Sequence, residues 1–88
     1  MSNEENQNDK ADEKRLAGMV LSSKSETELV ENLIESEKRF SELKERLDWT
    51  SGRLHYHILR LRASGFVAQG PKGYHLTEKG KKIAKKYL

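Results

Sequence analysis

At 88 residues the chain has room for one small core, which excludes the large enzyme folds. Apolar residues make up 34% and charged residues 35%, so part of the chain is expected not to fold, and the absence of cysteine rules out a disulfide framework, a thiolate metal site and a cysteine nucleophile. The net charge of +3 conceals a division: residues 1–37 carry four basic residues against ten acidic ones, a net of −6, and residues 38–88 carry thirteen against four, a net of +9. A basic half of this kind points to a polyanionic partner, nucleic acid or an anionic surface. The competing reading is a solvated lysine face, because Lys81, Lys82, Lys85 and Lys86 supply four of the thirteen.

Residues 1–15 hold almost nothing to bury and are expected to form a disordered acidic and polar tail, leaving residues 16–88 as the folded domain. The tail opens Met1-Ser2-Asn3-Glu4-Glu5, acidic where a signal peptide is basic, and no stretch approaches the roughly 20 apolar residues of a membrane span. A cytoplasmic location is expected. Leu16 to Leu21 is apolar enough to dock on something, as a helix end or a dimer contact.

Ser25 and Glu28 stand at capping-box spacing and predict a helix from Glu26 to about Glu35, with Leu29, Val30, Leu33 and Ile34 as its apolar stripe. Lys38 to Phe40 reads as a short extended piece. Ser41 caps a second helix that turns Leu43 and Leu47 inward with Phe40, and Asp48-Trp49 interrupts it. Thr50 then offers a cap for a third helix running to Ser64. At about 100° per residue, Leu54, Ile58 and Leu61 share its core face, His57 lies to one side, and Gly52, Arg53, Tyr56, Arg60 and Ala63 gather opposite. Gly65 suits the left-handed residue that closes a helix. Phe66 to Gln69 and Tyr74 to Leu76 read as strands joined through Gly70-Pro71-Lys72-Gly73, a hairpin with a basic tip. Thr77 caps a last helix with Ile83, Ala84, Tyr87 and Leu88 to pack.

The residues of the third helix and hairpin carry a resemblance. Thr50, Leu54, His57-Ile58, Leu61 and Gly65-Phe66-Val67, followed by Tyr74, Leu76, Thr77 and Gly80, look like the recognition helix and wing of winged helix-turn-helix transcriptional regulators of the ArsR-like and MarR-like kind, over about residues 26–88. Ile58 and Phe66 stand where those families carry leucine. The resemblance implies an α+β fold with a three-helix core, a β-hairpin wing and a C-terminal helix, and a regulator that binds double-stranded DNA as a homodimer. The chain departs from the metal-sensing members, which use cysteine or clustered His/Asp ligands, and no cofactor is expected.

On that reading the third helix enters the major groove. Arg53, Tyr56 and Arg60, with His57 beside them, face the bases or their edges; an arginine can bind guanine bidentately. Thr50 and Ser51 at the helix start suit a phosphate oxygen, and Gly52 lets the backbone come close. Lys72 at the wing tip is expected to meet phosphates, Lys38 and Arg39 being further backbone candidates. Leu16 to Leu21 and Tyr87-Leu88 offer apolar surface for the dimer. Two other readings use the same features, a winged-helix protein-interaction adaptor contacting through Tyr56, Leu59 and Leu16 to Leu21, and a non-specific chromatin or nucleoid protein.

No site for an enzyme emerges. His55 and His57 project about 200° apart on a helix and cannot share a metal. Ser41-x-x-Lys44 matches a nucleophile motif only in spacing, Gly70-Pro71-Lys72-Gly73 lacks the spacing and ending of a phosphate-binding loop, and Trp49 reads as the plug of the turn.

Overall fold

The computed structural model describes the backbone of residues 2–88 and the side chains of residues 11–88. Helices α1 (Ser2–Leu21), α2 (Lys24–Glu35), α3 (Phe40–Leu47) and α4 (Ser51–Ala63) are followed by strands β1 (Val67–Gly70) and β2 (Gly73–Leu76) and by helix α5 (Glu78–Tyr87). The fold is α+β, with five helices and one antiparallel hairpin among the described residues.

The segment expected as a tail falls within helix α1. The chain is helical from Ser2 to Leu21, and the side chain of Glu13 lies buried against α5, 3.1 Å from Lys82 and 3.6 Å from Lys86. The last turns of α1 explain why it docks: Ala17 and Val20 are buried, and Leu16 and Leu21 pack against the same core. The apolar run, expected as a helix end or a dimer contact, ends α1 and is largely used within the chain, leaving Met19 as its exposed large side chain.

Helix α2 begins two residues before the expected start. Ser23, with extended backbone, accepts the N–H of Glu26 on its hydroxyl, so the cap is Ser23 and not Ser25. Leu29, Val30 and Leu33 are buried as their spacing requires, whereas Ile34 is 51% exposed. Helix α3 likewise starts before its expected cap: Arg39 holds the cap position in place of Ser41, and Glu42 accepts the Arg39 N–H at 3.5 Å. Its end is sharp because Asp48 takes a left-handed conformation at φ 55°. Leu43 is buried and Phe40 and Leu47 partly so.

The third expected helix is the one most closely reproduced. Thr50 caps α4 by accepting the Arg53 N–H at 3.2 Å, Leu54, Ile58 and Leu61 are buried, and Gly65 at φ 81° ends it. Trp49 is buried at the start of that helix, 6% exposed. The hairpin pairs Val67 with Leu76 and Gly70 with Gly73, which places Pro71 and Lys72 at its tip. Phe66 is fully buried just before β1, its N–H donating to the Leu61 carbonyl. Lys38 extends the sheet by a single residue, exchanging two backbone hydrogen bonds with Tyr74 at 3.0 and 2.8 Å. Thr77 caps α5 through the Gly80 N–H and also donates to the Gly65 carbonyl at 2.6 Å, tying the start of α5 to the end of α4. Ile83 and Ala84 are buried, Tyr87 partly so, and Leu88 is half exposed.

Candidate nucleic-acid interface

Helix α4 is amphipathic in the literal sense that its two sides have different chemistry. One side anchors in the core through Leu54, Ile58 and Leu61; the other leaves Ser51, Gly52, Arg53, Tyr56, Leu59, Arg60 and Ala63 in solvent. Tyr56 is 56% and Leu59 48% exposed. Thr50, Ser51 and Gly52 are exposed at its start, where a helix leaves N–H groups without intrahelical partners and the Thr50 hydroxyl accepts the N–H of Arg53.

The arginines on this face are held. Arg53 lies over the Trp49 ring at 4.3 Å and donates to the Ser25 hydroxyl at 2.6 Å. Arg60 donates through Nε to Glu26 Oε2 at 3.2 Å and sits 5.8 Å from the centre of the Tyr56 ring. Tyr56 first, and Glu26 second, hold the Arg60 pKa above its already high ordinary value, so the guanidinium carries its charge at any working pH.

His57 is placed differently from the other candidates. Its side chain is 14% exposed and turns toward α2, where Nδ1 lies 3.1 Å from the same Glu26 oxygen, while its ring packs near Trp49 and Tyr56. Its angle on the helix wheel, between the core face and the arginine flank, accounts for this: α2 covers that sector. His55 is exposed on the far flank.

Lys72 is carried on a separate element, the hairpin tip, and is exposed. Its backbone N–H donates to Glu37 Oε2 at 3.0 Å, and Glu37 Oε1 lies 4.0 Å from His75 Nδ1, so the tip is tied to the connection between α2 and α3. Arg39 is exposed, but Lys38 is not available to a partner: it is 2% exposed and its ammonium donates to the carbonyls of Asn32 and Ser36 and to the Ser36 hydroxyl. It closes the end of α2. The lysines of α5, Lys79, Lys81, Lys82, Lys85 and Lys86, are exposed on a helix that does not carry the α4 strip.

Two residues central to this arrangement escaped the sequence reading, Ser25 and Glu26. Both looked like parts of a helix start, and their contacts span 28 to 34 residues of chain. Among the described residues no cluster of three or more His, Asp or Glu is placed to hold a metal, and no helix is long and apolar enough to cross a membrane.

These features define a small α+β domain that presents a cationic, aromatic helix face braced from behind by the start of a second helix. The chain belongs to the family described as Domain of unknown function (DUF7347), whose model matches residues 12–86. No curated protein matches the chain, and no solved structure does.

Proposed function

We propose that the protein is a winged-helix regulator that binds duplex DNA, with α3 and α4 as its helix-turn-helix, α4 in the major groove and the β1–β2 hairpin as the wing. The observation that carries this reading is the outer face of α4, where Arg53, Tyr56 and Arg60 stand exposed on a helix whose opposite face is locked in the core. A rigidly seated helix with donors on its free face is what base reading in the major groove requires. Thr50 and Ser51 at the helix start and Lys72 at the wing tip serve phosphates, which position the domain without reading sequence.

One such helix reads few base pairs, so a homodimer on paired half-sites is part of the proposal. A groove of about 1030 Å³, where the exposed Ile34 and Leu88 stand among charged residues of α1 and α5, is the surface offered to a second copy. The exposed Leu59 beside Tyr56 favours the alternative of a protein-contact module. A cytoplasmic, DNA-associated location accompanies the reading.

Selection of duplexes from a random pool tests it. A recovered motif with two-fold symmetry is expected, and Arg53→Ala and Tyr56→Ala should lose affinity for it. Unchanged affinity and selectivity in both variants would remove α4 as the reading element. Absence of duplex binding even at low salt, with a protein copurifying, would favour the protein-contact module.

A further inference from the structure

Glu26 is an unusual residue to find buried. It occupies the third position of α2, its N–H accepted by Ser23, and a glutamate at that spacing from a serine ordinarily turns back to close a capping box. Here the side chain, 3% exposed, reaches across to α4 instead. Its Oε2 accepts from Arg60 Nε at 3.2 Å and faces His57 Nδ1 at 3.1 Å, while its Oε1 is buried with no partner among the described residues. Burying a carboxylate is costly and leaving one oxygen unmet costs more, so the arrangement is poorly explained by stability alone. The positive end of the α2 dipole lowers that cost without removing it.

Arg53, His57 and Arg60 stand at i, i+4 and i+7 on α4 and form one stripe where the edge of its free face meets the first turn of α2, with His57 turned inward and both arginines exposed. The first turn of α2 meets this stripe twice: Ser25 holds Arg53, and Glu26 holds His57 and Arg60. Glu26 engages the Nε of Arg60 and Tyr56 lies against the same guanidinium, so that the edge left free of Glu26 is the terminal pair of amino groups, on a side chain that is 41% exposed. That free edge is the one that matches the two acceptors of guanine in the major groove.

We propose that Glu26 is a positioning residue that fixes the orientation of Arg60, so that its terminal edge is ordered for base recognition before a duplex arrives. The inference rests on the DNA-binding reading of α4. The role is one of selectivity: a carboxylate near DNA repels phosphate, so its removal by itself raises affinity for every duplex alike, and loss of base discrimination without loss of general affinity is a signature that neither charge removal nor unfolding produces.

The test uses Glu26→Ala and Glu26→Gln in the full chain. The Arg60 Nε–H is followed by ¹⁵N NMR without DNA, and affinity is measured for the selected duplex and for a scrambled one. Glu26→Ala is expected to lose the exchange-protected Nε–H signal and roughly tenfold of its preference for the selected duplex, with equal or greater affinity for the scrambled one. Glu26→Gln, which keeps an acceptor oxygen, should retain part of both. The proposal is overturned if Glu26→Ala keeps the preference, or if both duplexes weaken equally along with the melting temperature. Should Glu26→Ala fail to fold, Glu26→Gln decides on the same readouts, an unchanged signal and preference standing against the proposal. Wild-type protein that binds neither duplex overturns the DNA role itself, and the Nε–H signal then reports separately whether Glu26 holds Arg60.

Discussion

The ammonium group of Lys38 donates to the carbonyl oxygen of Asn32 at 2.6 Å. Lys38 is 2% exposed, yet its charge is not stranded, because the Ser36 carbonyl and hydroxyl accept from it as well and Glu35 lies 3.9 Å away. Carbonyls at a helix end lack partners within the helix, and a cation there also meets the negative end of the dipole. The same residue pairs by its backbone with Tyr74, so one lysine joins the end of α2 to the hairpin.

Lys38→Met should keep the backbone pairing while leaving those carbonyls unmet. The expected loss is about 2 kcal/mol, seen as a fall in melting temperature of roughly 8–16 °C for a domain of this size. An unchanged melting temperature would show that water replaces the ammonium without cost.

Two glycines should respond in opposite directions. A Cβ at Gly80 would collide with the carbonyl oxygen of Phe66, just before β1, so Gly80→Ala should destabilise by about 1–3 kcal/mol. A Cβ at Gly18, in the exposed part of α1, would meet nothing within 4 Å. Gly18→Ala should therefore stabilise by about 0.5–1 kcal/mol through helix propensity. Thermal melts of the two variants check both signs.

Local chemistry was legible in the amino-acid sequence where it is self-contained. Thr50, Leu54, Ile58, Leu61 and Gly65 delimit α4 correctly, and Thr77 opens α5, because a cap, a stripe and a left-handed glycine act within a few residues of themselves. The cap of α2 was misread by two positions because three serines, Ser22, Ser23 and Ser25, precede the apolar stripe, and only the backbone conformation chooses Ser23. Helix α1 was missed because its apolar content lies entirely in its last turns; Glu13, which reads as solvated, is buried by contact with a helix some 70 residues away in the chain. Of the candidate site, the exposed strip of α4 followed from periodicity, whereas the inward turn of His57 and the bracing by Ser25 and Glu26 depend on where α2 crosses α4, which no spacing encodes.

The contact of α1 with α5 should loosen in acid. Hydrogen bonding to Lys82 lowers the Glu13 pKa against the burial that raises it, with Lys86 adding to the lowering. A carboxyl whose folded pKa is depressed stabilises the fold above its unfolded pKa and loses that contribution as pH falls through the folded value. Amide-exchange protection at Ala17 and Val20 is thus expected to drop below the ordinary glutamate range in the wild type. In Glu13→Gln the same protection should be lower at neutral pH and flat through that range. A wild-type profile identical to the variant's would mean that Lys82 and Lys86 do not hold α1.

Lys72 and Arg53 should separate positioning from reading. Lys72 sits on a hairpin tip whose backbone is fixed by Glu37, so its side chain reaches outward from a held base, and under the proposed function it neutralises a phosphate. Lys72→Ala should weaken binding to the selected and scrambled duplexes by the same factor and reduce the salt slope by about 1. Arg53 is braced by Trp49 and Ser25 on the free face of α4, and Arg53→Ala should instead weaken the selected duplex alone, by about 1–3 kcal/mol if it contacts a guanine. Binding isotherms at several salt concentrations, with both duplexes and both variants, distinguish the two roles. Equal losses on both duplexes for Arg53→Ala would move that arginine to the phosphates and leave Tyr56 and Arg60 as the residues that read bases.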